Sequence, residues 1–170
     1  MDKAQVTYTR YNSEQELYDA SDLVFVGMPV QTLNPLDNVG VSDTIKEKFN
    51  LSEDYYLSHA IKRDVMVLEV LKGEYDSSII PLVHYEAFVR NSNNELYLGI
   101  GPADTVDCKN AKYIYYVTKE DQYKAPYLVS LDYGRVNVDG LDKESYYDSE
   151  RVKEVRDKFP EIFEKYDRTK

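Results

Sequence analysis

The stretch "VMVLEVLKGEYDSSIIPL", Val65 to Leu82, constrains the fold more than any other. A nearly unbroken apolar run ends in Lys72-Gly73, a few turn-forming residues follow, and a second apolar run begins. Gly73 supplies the backbone freedom for a turn. Pro81 stands near the start of the second run, where a missing N–H is best tolerated. The pattern predicts a β-hairpin with a longer loop, its strands at Val65–Leu71 and about Ile79–Val89. Alternation places Met66, Leu68 and Val70 on one face and Val65, Val67 and Glu69 on the other, with Glu69 marking the face that meets water.

The neighbouring segments extend this reading. Leu23 to Val26 is apolar on both faces, as in a central strand, and Gly27 marks a bulge or sharp bend within Leu23–Val30. Further strands are expected at Leu96–Leu98, Tyr113–Thr118, Leu128–Leu131 and Arg135–Val138. The last two should form a second hairpin around Asp132-Tyr133-Gly134, with Val136 and Val138 inward and Arg135 and Asn137 outward. Tyr113, Tyr115 and Val117 share one face. In "SEQELYDAS", Ser13 with Glu16 three residues on is a capping-box pattern, so a two-turn helix starts there with Leu17 and Ala20 as its apolar face. In the tail, Val152, Val155, Phe159, Ile162 or Phe163, and Tyr166 recur at helical spacing. Pro160 breaks that helix and opens a second one. The stripe is expected to dock on the barrel, with binding to a partner as the alternative.

Residues 34–60 lose all periodicity. "TIKEKF" after Asp43 reads as a short helix, and "SEDYYLSHA" as a further turn capped by Ser52. An insertion of this length in a compact domain is either functional or merely tolerated.

The expected fold class is therefore mainly β: a small antiparallel OB-like β-barrel with a short N-terminal helix and a C-terminal amphipathic helix. A β-sandwich is the alternative. With 170 residues, a single domain over 1–170 is expected, its barrel at about 11–140 and its helical segment at about 143–168.

The segments "ASDLVFVG", "VLEVLKG", "AKYIYYV" and "YLVSLDYGRVNVDG" occur in an order that resembles the OB-fold domain of tissue-inhibitor-of-metalloproteinase (netrin-like) type, as in secreted proteins and lipoproteins of Gram-positive bacteria. The resemblance covers Tyr11 to Gly140. It implies a cell-surface or secreted, extracytoplasmic location, with a lipid-anchored cysteine just before the mature domain. A cytoplasmic location is the alternative, because "MDKAQVTYTR" lacks the apolar core of a signal peptide. The animal inhibitors of this type chelate the protease zinc through an N-terminal cysteine. Here residue 1 is Met1 and the single cysteine is Cys108, so that mechanism does not carry over.

Net charge is −10 at pH 7, which opposes binding to a phosphate backbone. A nucleic-acid-binding OB-fold domain is thus the disfavoured alternative, and a protease-inhibitor-like protein acting without the cysteine is a second one. One cysteine allows no internal disulfide and no Cys-rich zinc site. No apolar run approaches the roughly 18 residues of a membrane span.

Candidate chemistry is sparse. His84 and Glu86 share a face if Ile79–Val89 is one strand, yet a structural pair explains them as well. Asp104 and Asp107 lie in a Gly-Pro loop without the ligand spacing of a calcium loop. Cys108 has Lys109 beside it. No catalytic or phosphate-cradling motif is found. The expectation is a non-catalytic binding or interaction module, monomeric, without cofactor or metal, whose partner is a protein, peptide or glycan. Its ligand-binding residues are expected to be Tyr55, Tyr56 and His59, close together within about two helical turns of the insertion.

Overall fold

The computed structural model describes residues 11–30, 38–40, 42–53, 56–84, 86–90, 96–100, 110–119, 125–129, 134–142 and 149–168. For 38–40, 56–61, 84, 86–90, 96–100 and 149 it describes the backbone alone. Chain order is α1 (Glu14–Ala20), β1 (Leu23–Pro29), β2 (Asn38–Gly40), α2 (Asp43–Phe49), β3 (Tyr56–Lys72), β4 (Ile79–His84), β5 (Glu86–Arg90), β6 (Leu96–Ile100), β7 (Tyr113–Thr118), β8 (Tyr127–Leu128), β9 (Arg135–Asn137), α3 (Ser149–Lys158) and α4 (Pro160–Tyr166).

Five strands close a barrel. The ring runs β1–β3–β4–β8–β7 and returns to β1, while β9 continues beyond β7 and β2 pairs with β3. In chain order the ring is first, second, third, fifth and fourth strand, consistent with an OB-like barrel. The expectation of a wholly antiparallel barrel needs one correction: β4 and β8 run parallel, bridged at Val83 and Tyr127. The other pairs are antiparallel.

Two cores follow from this closure. Inside the barrel lie Leu23, Phe25, Val65, Ile80, Leu82, Tyr113, Tyr115, Val117 and Leu128. Phe25 and Tyr115 stack there with ring centroids 5.2 Å apart. On the outside, Val24, Val26, Ile114, Tyr116, Val136 and Val138 are covered by Leu17 of α1 and by Val155, Phe159, Ile162 and Phe163 of the C-terminal helices. β1 and β7 are thus buried on both faces, which is why their sequences are apolar at nearly every position.

The hairpin forms where the sequence places it. Gly73 has φ +79°, and a Cβ there would lie 2.3 Å from the Asp22 carbonyl oxygen. The loop folds back on itself, with the Tyr75 hydroxyl donating to the Ile79 carbonyl at 2.6 Å. Gly27 is required for space. A Cβ on it would lie 2.6 Å from Phe25 Cε2 and 2.7 Å from Val65 Cγ1.

The face assignment for Val65–Leu71 is corrected. Gly27 pairs with Val67 and Val26 with Glu69, so Leu68 is an extra residue on β3; Leu71 is extra in the same way between Val70 and Lys72. Each bulge resets the alternation. Val65 is buried, whereas Leu68 and Val70 are exposed. Glu69 faces the helices and pairs with Lys165 of α4 at 3.1 Å.

Two further strand expectations are refined. Of Ile79–Val89, Ile79–His84 is β4, paired in the barrel, and Glu86 onward is β5, which pairs with β6 in a two-stranded sheet; residue 85 lies outside the described residues. The second hairpin is not formed by the described residues. β8 pairs with β7 at Val117 and Thr118, and β9 pairs with β7 at Tyr113 to Tyr115. The Tyr116 backbone accepts from Val129 N–H and donates to Gly134 O, so both segments follow one edge of β7. Val129 and Gly134 both meet that edge at Tyr116; residues 130–133 lie outside the described residues.

The helices keep most of their sequence signals. Ser13 Oγ accepts from Glu16 N–H at 3.2 Å, while the Glu16 carboxylate accepts from Asn12 N–H rather than from the cap's own. Leu17 is buried and Ala20 is exposed, so the apolar face of α1 is narrower than expected. α3 stops at Lys158, and Pro160 opens α4.

Candidate functional site

Buried polar groups are the first places to look for chemistry. Three clusters stand out, and the sequence marked none of them. The first lies between α1, β7 and α3. Glu14 is 4% exposed; its Oε1 accepts from the Tyr116 hydroxyl at 2.9 Å, and its Oε2 faces Lys158 Nζ at 3.0 Å. Glu14 N–H donates to Glu154 Oε2, which also accepts from Arg151 NH1. Burial first, and the Glu14 carboxylate second, push the Tyr116 phenol well above its ordinary value. A hydroxyl held protonated this firmly is a hydrogen-bond donor and no base.

The second cluster is the turn after β9. Asp139 is fully buried; its carboxylate accepts from the N–H groups of Lys112 and Leu141 and from Asn137 Nδ2. Asn137 Oδ1 in turn accepts from Gly140 N–H, where φ is +74°. Asn137 is therefore buried and structural, against the expectation that it faces out. In the third, the Tyr113 hydroxyl donates to the buried Asp142 carboxylate. All three clusters tie helices or turns to the barrel: Glu14 meets Lys158, Asp139 meets backbone N–H groups, and Asp142 accepts from the Tyr113 hydroxyl.

The insertion presents a different surface. Ser42 caps α2, its hydroxyl accepting from Ile45 N–H at 3.4 Å. Asn50, with φ 52°, ends the helix, and Leu51 N–H returns to the Lys46 carbonyl. Beside this helix lies a depression of about 340 Å³ lined by Asp43, Lys46, Glu47, Asn50, Leu51 and Glu53. Lys46 is buried and its ammonium donates to the Glu53 carbonyl, so the cation is held within the wall. The carboxylate-bearing residues Asp43, Glu47 and Glu53 are exposed. Phe49, on the same helix, is 60% exposed, the most exposed of the large apolar residues described.

The expected site residues meet this surface only in part. Tyr55 lies outside the described residues. Tyr56 and His59 are backbone positions of β3, with Tyr56 opposite Gly40 of β2. Of the stretch expected to hold a turn capped by Ser52, Glu53 is a turn residue, residues 54–55 lie outside the described residues, and Tyr56–Ala60 is extended. A separation of three residues along a strand is roughly 10 Å, so Tyr56 and His59 are spaced along β3 and not along a helix. β pairing with Gly40 and Val39 overrides the local polar pattern. His84 and Glu86 fall in different sheets, and Asp104, Asp107 and Cys108 lie outside the described residues.

Among the described residues, no group of three or more His, Cys, Asp or Glu side chains converges as a metal site would require. Among them, no helix is long and apolar enough to cross a membrane. Comparison with family models, with curated proteins and with solved structures finds no match.

Proposed function

We propose that this chain is a non-catalytic binding or interaction module that engages a protein, peptide or glycan through the surface of the insertion. One observation carries the reading: an exposed aromatic ring, Phe49, stands on the same short helix that walls a depression bordered by Asp43, Glu47 and Glu53. An aromatic anchor beside polar groups is what recognition surfaces use. Net acidity favours partners with basic or neutral surfaces over polyanions. The buried carboxylates support the same reading, since Glu14, Asp139 and Asp142 are engaged in joining elements of the fold. An extracytoplasmic setting, with an anchor upstream, is proposed on the netrin-like resemblance alone.

The nucleic-acid alternative draws support from the OB-like order of the ring and is opposed by the charge of −10. Peptide and glycan arrays and a single-stranded DNA shift assay, run on the wild type and on Phe49→Ser/Glu47→Lys, test the choice. The proposal expects array binding that this pair of substitutions abolishes while the circular dichroism stays unchanged. Binding that survives the substitutions, or a DNA shift at physiological salt, overturns it.

A further inference from the structure

We draw no further inference here: the strongest candidate, the stretch of β3 and β4 away from the helices where Leu68, Val70 and Pro81 are exposed, carries nothing because no feature of the structure shows what covers it.

Discussion

The Tyr116 hydroxyl donates to Glu14 Oε1 at 2.9 Å across 102 residues of chain, joining the first helix to strand β7 of the barrel. The other Glu14 oxygen pairs with Lys158, so a single carboxylate links α1, β7 and α3. Replacing Tyr116 with Phe removes a hydrogen bond to a buried charge and should cost about 1.5–3 kcal/mol near neutral pH. Urea unfolding of the two proteins measures this directly, and equal midpoints would show that the bond contributes nothing.

The same pair has an alkaline signature. The Tyr116 phenol is held above its ordinary value of 10.0, by burial first and by Glu14 second. A raised folded pKa contributes stability in full below the unfolded pKa and loses it as pH rises beyond. Above pH 10, wild-type stability should therefore fall by about 1.4 kcal/mol per pH unit more steeply than that of Tyr116→Phe. The gap between the two should narrow from pH 9 to pH 11. A constant gap would mean that Tyr116 ionises in the fold as it does in water.

Space decides the outcome at Gly27. An added methyl would meet the Phe25 ring and Val65 Cγ1 inside the barrel. Gly27→Ala should destabilise by about 1–3 kcal/mol, the usual cost of overpacking. A neutral result would show that Phe25 can turn aside at no cost.

The C-terminal helices should prove integral. Phe159, Ile162 and Phe163 complete the outer core with Val24, Val26 and Tyr116. Phe163→Ala should cost about 3–5 kcal/mol, as for a large core aromatic. Removal of residues 149–170 should leave a protein with a markedly lower melting temperature. An unchanged melting curve after truncation would show that the stripe is not needed by the barrel.

Much of this was legible in the residues because local chemistry and tertiary position agree. Ser13 caps α1, Gly73 turns the hairpin, Pro160 opens α4, and Tyr113–Thr118 is a strand with the expected bounds. Alternation failed on β3 because the bulges at Leu68 and Leu71 are set by pairing with β1, a long-range matter that periodicity does not encode. Glu14 looks like an ordinary acidic residue in a first helical turn; only the approach of Tyr116 and Lys158 buries it. The α2 surface was legible in part. The helix was expected, whereas the burial of Lys46 and the exposure of Phe49 depend on how the insertion packs. Tyr56 and His59 were expected on a turn, and pairing across to β2 draws them into a strand instead.

Barrel closure is the claim on which the inner core rests, because opening the ring at β1–β7 or at β4–β8 would break the enclosure around Phe25, Leu82 and Leu128. Nuclear Overhauser spectroscopy on protein with labelled aromatic and methyl groups tests it most directly. The account predicts contacts between the Phe25 and Tyr115 rings, 5.2 Å apart between centroids, and between Val83 and Tyr127 across the parallel bridge. Contacts between β1 and β3 without any between Phe25 and Tyr115 would contradict it.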